Sequence, residues 1–371
     1  MKLNKKFLTV LLSSIMACSV SLPYLSEAAQ IENIKGRDRY DTALKISEKI
    51  GYYNTVILVN STVSLADGLS ASGLSGVKLA PIVPVKKDSI PKESQKAIEK
   101  ALSVYIIGGK SAISKKVEDS LIAKGKIVNR IEGNSRIETS KKVAELMGDY
   151  KKAFIVNGFK GEADAMSISS VAAREGAPII LTDGKNPSVE KKNGVEYYVV
   201  GGSAVASDKL QASYSAIRLA GSDRYKTNRA ILKKFYPDSN KIYCANVTAL
   251  IDALTVSLLA KDEGIAFVGK NSDNSVLNGK DVVNVGNVDV GTSKPDKPSQ
   301  PNKPIKPDKP ATVEYFKPLV LDQATKNKMK GLSMPDNAVG IKYDDLRRVN
   351  VKYWGFDNKS HTDGVLIVNI K

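Results

Sequence analysis

Short apolar runs recur along the chain, separated by stretches whose apolar residues follow a helical period. Most of the runs are rich in β-branched residues and do not alternate with polar ones, which is typical of strands buried on both faces of a parallel sheet. These runs are VILVN (56–60), APIV (80–83), AFIVN (153–157), APIIL (177–181), IYCA (242–245) and IAFV (265–268). The alternation of such strands with helical stretches predicts an α/β fold.

The whole pattern occurs three times. Each copy opens with a Gly-x-x-Arg-x-x-Thr-like motif, as GRDRYDTA (36–43), GNSRIETS (133–140) and GSDRYKTN (221–228). An aspartate follows the opening glycine by 31 residues in every copy. The matched glycines are Gly36, Gly133 and Gly221, and the matched aspartates are Asp67, Asp164 and Asp252. A spacing held three times indicates tandem repeats of one structural unit.

Each opening motif marks the start of a helix. Asp38, Ser135 and Asp223 stand at the predicted N-cap positions, and Ser135 with Glu138 has the spacing of a capping box. The aspartate segment, placed between two strands, is predicted to be a crossover helix.

The copies differ at their ends. The first two continue with YIIGGKSAIS (105–114) and YVVGGSAVAS (198–207), whereas the third has only VVNVGNVDV (282–290), without the Gly-Gly turn and the closing helix. A phosphate-binding P-loop would need glycine at position 104, which is Val104, so this sequence excludes it.

The opening motifs, together with ADAMSIS, APIIL and YVVGG, resemble the cell wall binding repeat 2 family of clostridial surface proteins. The resemblance implies three modules around a pseudo-threefold axis and noncovalent anchoring to an anionic wall polysaccharide. The predicted division is a signal peptide (1–28), repeats at 32–128, 129–217 and 218–289, a Pro/Lys linker (290–311) and a truncated peptidase-like segment (312–371).

Three arginines occupy matched positions in the opening motifs: Arg39, Arg136 and Arg224. A guanidinium can bind phosphate or carboxylate in a bidentate manner, so these residues are candidate polymer contacts. The alternative, which the matched residue types favour, is an ion pair inside each unit with the matched aspartate. Lys110 and Arg174, near the Gly-Gly turn and a predicted strand, are further candidate contacts.

The N-terminus has lysines followed by an apolar stretch and a small-x-small site ending at Ala28, which predicts a cleaved secretory signal and a secreted, wall-bound protein without a transmembrane segment. Lipidation at Cys18 is an alternative to this cleavage. After cleavage only Cys244 remains, and its apolar surroundings predict a buried, inert thiol. The formal net charge of +17 suits an anionic wall polymer, whereas export and sparse aromatics oppose nucleic acid as the partner.

Residues 291–311 alternate lysine, proline and aspartate, which predicts an extended spacer. The following YWGFDNKSHTDGVLIVN resembles the N-terminal part of vancomycin-resistance-type zinc D-Ala-D-Ala carboxypeptidases. Catalytic zinc needs about three protein ligands, and the sequence has one histidine, His361, so we expect a partly ordered hairpin without metal, cofactor or catalysis. The alternatives are a peptidoglycan hydrolase targeted by the repeats and a protein that binds surface-layer proteins through this tail.

Overall fold

The apolar runs of the repeats form the strands of three separate parallel sheets, as a computed structural model shows. The structure describes residues 30–62, 65–269, 272–288 and 290, and the backbone of 349–354 and 360–368. The predicted signal peptide, residues 291–311 of the predicted linker and most of the predicted peptidase-like segment lie outside the described residues.

The strands in chain order are β1 (Ile31–Ile34), β2 (Thr55–Asn60), β3 (Ile82–Val85), β4 (Ser103–Ile107), β5 (Ile127–Ile131), β6 (Lys152–Asn157), β7 (Ile179–Thr182), β8 (Glu196–Val200), β9 (Ile217–Leu219), β10 (Lys241–Asn246), β11 (Ile265–Val268), β12 (Asp281–Val285), β13 (Val349–Trp354) and β14 (Ser360–Val368). The α-helices are α1 (Arg39–Ile50), α2 (Ala71–Lys78), α3 (Lys92–Glu99), α4 (Lys115–Ala123), α5 (Arg136–Met147), α6 (Glu162–Ser167), α7 (Ser169–Glu175), α8 (Asp208–Tyr214), α9 (Arg224–Phe235) and α10 (Leu250–Val256). Two 3₁₀ turns, Gly68–Ser70 and Ser275–Leu277, complete the described elements.

Each module contains one parallel sheet of four strands. The strand orders are β3-β2-β4-β5 in the first module, β7-β6-β8-β9 in the second and β11-β10-β12-β1 in the third. The prediction of three tandem α/β modules with parallel sheets is confirmed. The predicted N-caps are confirmed as well, since the side chains of Asp38, Ser135 and Asp223 accept hydrogen bonds from backbone N–H groups of their helices.

The third sheet takes its last strand from the other end of the chain. β1 pairs in parallel with β12, with Ile31 opposite Val282 and Ile34 opposite Val285. In the other two modules this position is filled by β5 and β9, the strands that lead directly into the next module's first helix. The shortened third copy, which has no helix after β12 among the described residues, therefore still has a complete sheet. The three modules, from β1 to β12, form a closed ring.

One central core joins the three modules. Its buried residues come from all three sheets and from the crossover helices α2, α6, α7 and α10. The outer faces of the first and second sheets have clusters of their own, to which α3 and α4 in the first module and α8 in the second contribute. Cys244 in β10 is fully buried, and burial raises the pKa of its thiol to about 12, which confirms the predicted core thiol.

Two glycines let the crossover helices approach closely at the centre. A Cβ on Gly73 would lie 2.1 Å from the carbonyl oxygen of Ala177, and one on Gly76 would lie 1.9 Å from that of Ala173. Any side chain at these positions would push α2 away from α7, so glycine is required for the contact between the first and second modules.

Residues 349–354 and 360–368 belong to a second unit of the chain. β13 and β14 form an antiparallel hairpin in which Tyr353 pairs with His361, and the register shifts between Val351 and Tyr353. A hairpin is what the sequence predicted for this segment, whereas its likeness to a carboxypeptidase stays a prediction.

Closure of the ring by β1 can be tested at Ile34, whose side chain is 2% exposed, against Ile31 in the same strand, which is 55% exposed. We expect Ile34→Ala to lower the free energy of unfolding by about 2–5 kcal/mol, because it leaves a cavity in the shared core. Ile31→Ala should stay within about 0.5 kcal/mol of the wild type. Urea titration followed by circular dichroism measures both, and equal effects of the two variants would contradict the closure.

Candidate functional site

The carboxyl ends of the strands carry the polar residues that the three modules share. Strands β2, β6 and β10 each end in an asparagine, whose Oδ1 accepts a hydrogen bond from a backbone N–H of the following turn. The donors are Thr62 to Asn60 at 2.8 Å, Phe159 to Asn157 at 2.8 Å, and Thr248 to Asn246 at 2.9 Å. In parallel α/β sheets, ligands bind in the crevice beyond this edge. The carboxyl edge is therefore the candidate site.

The glycine and threonine of the opening motif hold the turn before each helix. The N–H of the glycine donates to the threonine hydroxyl in all three copies, at 3.0 Å for Gly36 and Thr42, 3.1 Å for Gly133 and Thr139, and 3.0 Å for Gly221 and Thr227. A Cβ on any of these glycines would lie within 2.3–2.5 Å of the following helix. The conserved spacing of glycine and threonine thus builds the turn that presents the arginine.

The matched aspartates lie beneath a glycine at the end of the third strand of each module. Gly108, Gly201 and Gly286 adopt φ values of +112°, +110° and +70°. A Cβ on them would stand 2.8, 2.7 and 2.1 Å from the Oδ2 atoms of Asp67, Asp164 and Asp252, respectively. Glycine is needed here for its backbone conformation and for the close approach of the carboxylate. The third copy keeps the essential glycine although its sequence lacks the Gly-Gly pair.

The arginines interact with aspartates across the module boundaries. The positive charge of Arg39 in the first module acts to lower the pKa of Asp252 in the third. Arg224 of the third module acts in the same way on Asp164 of the second. Arg136 of the second module lines the same cavity as Asp67 of the first. The expected ion pair inside each unit is therefore wrong. The arginine meets the aspartate of another module because the modules follow one another in a cyclic order. This order places the first helix of each module against the crossover segment of the preceding module.

Backbone carbonyls of their own modules fix two of these arginines. Nη1 of Arg39 donates to the carbonyl oxygen of Ser61, and Nη1 of Arg136 donates to that of Gly158 at 2.7 Å. Arg224 makes no such hydrogen bond among the described residues, and both it and Arg39 are exposed. A guanidinium has five N–H donors, so one bond orients the group and leaves most of its donor capacity for a ligand.

Burial raises the pKa of two of the aspartates. Asp164 is 8% exposed and Asp252 is 7% exposed. Loss of hydration raises the pKa of each carboxyl to about 6, although Arg224 and Arg39, respectively, act to lower it. At pH values up to about 6, these two carboxyl groups therefore carry less negative charge than exposed aspartates would.

Two of the module boundaries contain open cavities at the carboxyl edge. The cavity between the third and first modules measures about 390 Å³ and includes Arg39, Asp252 and Gly286 in its wall. Leu65, Glu162 and Leu250 also line it, one from each module at the position two residues before the matched aspartate. The cavity between the first and second modules measures about 270 Å³ and includes Asp67, Gly109 and Arg136.

The two remaining candidate contacts lie in different places. Lys110 is exposed and directly follows Gly109 at the carboxyl edge, beside the cavity of Arg136. Arg174 lies near the end of α7 at the opposite edge, where it pairs with Glu175 at 2.9 Å and donates to the carbonyl oxygen of Phe235 at 2.9 Å. Its guanidinium also stacks 4.6 Å from the Tyr236 ring centroid. The structure does not bring Arg174 together with the other candidates. Through Phe235 and Tyr236, Arg174 instead links the second module to the third.

Sequence reasoning missed Asn60, Asn157 and Asn246, which organise the three turns, and Phe159, which is 56% exposed beside Arg136. The asparagines had a signal, since each ends an apolar run at the same place in its repeat.

The model of the cell wall binding domain 2 (CWB2) family matches residues 33–118, 130–211 and 218–292. The chain belongs to this family. The three matches follow the three modules and together span most of the residues that the structure describes. Among those described residues, no helix is both long and apolar enough to cross a bilayer, and no group of three or more His, Cys, Asp or Glu side chains could hold a metal ion.

Solved structures show the same fold. Cwp8 from Clostridium difficile matches with a TM-score of 0.64 and 32% identity, covering 69% of this chain and 49% of that one. Cwp6 from the same organism matches with a TM-score of 0.64 and 30% identity, covering 70% of this chain and 46% of that one.

Two curated proteins of Bacillus subtilis are also similar. N-acetylmuramoyl-L-alanine amidase LytC is 28% identical over 280 residues, which are 73% of this chain and 56% of LytC. The amidase enhancer is 33% identical over 254 residues, which are 66% of this chain and 35% of that protein. This CWB2 chain thus spans about half of the length of LytC and of the two solved structures, and about a third of the enhancer.

The buried aspartates predict a pH dependence of stability. The carboxyl pKa is about 6 in the folded protein and about 3.8 in the unfolded chain, so the folded state binds more protons between these values. Stability from these groups should therefore fall as the pH rises from about 4 to about 6, by on the order of 2–3 kcal/mol for each group. Asp164→Asn and Asp252→Asn should each flatten the profile, as measured by urea titration at a series of pH values. Profiles that stay parallel to that of the wild type would contradict the assignment.

Proposed function

We propose that this protein attaches noncovalently to a Gram-positive cell wall by binding an anionic polysaccharide at the carboxyl edges of its three CWB2 modules, without catalysis of its own. The single observation that carries the proposal is the threefold repetition of an arginine, presented by a Gly–Thr turn, at boundaries between modules. A polymer repeats its charges along its length, and a rigid body with matched sites can engage several of them at once. Such linked contacts raise the overall affinity well beyond that of one site.

The boundaries between modules at the carboxyl edge, hereafter the clefts, carry groups that suit an anion. Arg39 and Arg224 are exposed, Arg136 is partly exposed, and Lys110 adds an exposed charge beside the cleft between the first and second modules. The facing Asp164 and Asp252 are buried and hold protons more readily than an exposed carboxyl group, which reduces their competition with a bound phosphate or carboxylate. Arg39, Arg136, Arg224 and Lys110 are therefore the proposed polymer contacts, and Arg174 is left out of the set.

The remaining assignments complete the proposal. Residues 1–28 act as a cleaved secretory signal, so the mature chain works outside the cell at the wall. The Pro/Lys segment acts as a spacer between the modules and the C-terminal unit. LytC is named as an amidase, but this sequence has one histidine, His361, whereas catalytic zinc needs about three protein ligands, so the proposed role is binding.

Cosedimentation of the full chain with purified Gram-positive walls tests the proposal. The walls are used before and after removal of their phosphate-linked polymers, across a series of salt concentrations. Binding should be lost on stripped walls and should weaken as salt rises, because it depends on charge pairs at the protein surface. Equal binding to stripped walls would overturn the anionic polymer as the ligand.

A triple variant tests the arginines. Arg39→Gln, Arg136→Gln and Arg224→Gln together should lower wall affinity by roughly tenfold or more, since each exposed charge contact contributes up to about 1 kcal/mol. The affinity should also become less sensitive to salt.

The matched control removes three positive charges, as the triple arginine variant does, but from the opposite edge of the sheets. Lys100→Gln, Lys124→Gln and Lys151→Gln change exposed residues that precede β4, β5 and β6. This control should bind walls nearly as the wild type does. An equal loss in both triple variants would mean that net charge, rather than the carboxyl edge, attracts the protein to walls.

A further inference from the structure

Phe159 is an aromatic side chain held on the surface at the carboxyl edge. It stands in the turn after β6, and its ring is 56% exposed. The turn is fixed by Asn157, whose Oδ1 accepts from the N–H of Phe159 at 2.8 Å and from that of Lys160 at 3.0 Å. Nδ2 of Asn157 donates to the carbonyl oxygen of Val205 at 2.6 Å. The backbone that presents the ring is therefore well anchored.

The ring is paired with the arginine of its module. The guanidinium carbon of Arg136 lies 5.0 Å from the ring centroid, and Nη1 of Arg136 donates to the carbonyl oxygen of the neighbouring Gly158 at 2.7 Å. Arg136 also lines the cavity between the first and second modules, so the ring is linked to that cavity through Arg136. A flat apolar surface and an oriented cation thus occupy adjacent positions.

This pairing is specific to the second module. The positions that follow the matched asparagine by two residues are Thr62 in the first module and Thr248 in the third. The three modules share the arginine of the opening motif but differ at this position, where only the second has an aromatic residue. A contact that all modules needed for folding would be expected in all three, whereas an exposed ring in one module fits a ligand contact.

We propose that Phe159 and Arg136 form a saccharide subsite, in which the ring stacks against the C–H face of a pyranose and the guanidinium binds an adjoining phosphate or carboxylate. The face of an aromatic ring is electron-rich and attracts the weakly positive C–H groups of a sugar face. The acidic group places negative charge where Arg136 is oriented. This subsite rests on the proposed function. It would let the cleft between the first and second modules bind a charged sugar more tightly than a polyanion without sugar rings.

The neighbouring side chains support a saccharide over a protein partner. Ser111, Asn134 and Ser135 line the same cavity as Arg136 and offer hydrogen-bonding groups for sugar hydroxyls. A single ring among polar and charged residues is also far smaller than the apolar patches that mark protein interfaces.

A substitution series at Phe159 in the full chain, measured by cosedimentation with the same Gram-positive walls, tests the subsite. Phe159→Ala should raise the apparent Kd roughly fivefold to tenfold, which corresponds to about 1.0–1.4 kcal/mol. The salt dependence should stay as in the wild type, because no charge is removed. Phe159→Tyr should bind within about twofold of the wild type, and Phe159→Leu should resemble Phe159→Ala if stacking on an aromatic face is needed.

The matched control is Tyr52→Ala, which removes an aromatic side chain that is 86% exposed between α1 and β2, at the opposite edge. It should leave wall binding unchanged. Thermal melts of all variants should coincide with that of the wild type, because both rings are exposed.

The outcomes separate the two proposals. If Phe159→Ala binds walls as tightly as the wild type does, the subsite is overturned and polymer anchoring stays in place. Full binding by Phe159→Leu would overturn stacking on a sugar face in favour of a general apolar contact. Failure of the wild type to sediment with walls would overturn the anchoring function and the subsite with it.

Discussion

The inner faces of the three sheets and the crossover helices are buried in one shared core, and the rest of the structure depends on it. Ile57, Phe154 and Tyr243, from the first central strands of the three modules, all belong to it. A module taken alone would expose one face of its sheet and its crossover helix to water, at a cost of roughly 25 cal/mol for each Å² of apolar surface. The crossover helices come close enough to exclude water because Gly73 and Gly76 have no side chains. Three modules are thus a condition of stability.

Closure of the ring follows from the same core. Ile131, Leu219 and Ile34 end the fourth strands of the three sheets and are buried to a similar extent, at 8%, 6% and 2% exposure. Two of these strands connect one module to the next, and the third begins the described chain and completes the last sheet. Each boundary takes its aspartate from one module and its arginine from the next, and the boundary that joins Asp252 to Arg39 exists only when the ring is closed. Folding and the proposed binding site therefore depend on the same strand.

Local features of the fold were predictable from sequence, because local residues determine them. Asp38, Ser135 and Asp223 cap their helices with hydrogen bonds to nearby N–H groups, and Cys244 lies in an apolar run that can only be a buried strand. The pairing of Arg39 with Asp252 joins residues more than 200 positions apart, and only the cyclic order of modules makes them neighbours. The strand position of β1 depends on the same order. Phe159 was missed because an exposed ring has no periodic signature that separates it from a core residue.

The clefts reduce the stability of the protein at neutral pH, and this distinguishes them from the rest of the interface between modules. A buried carboxylate costs free energy unless it is well paired, and Asp164 and Asp252 form no salt bridge within 4.0 Å among the described residues. An asparagine at these positions would have no charge to remove from water. A carboxyl group under a glycine of positive φ, at a boundary that also carries an arginine of the next module, is thus a combination that folding alone does not require. Its presence in all three modules is what a repeated binding function would maintain.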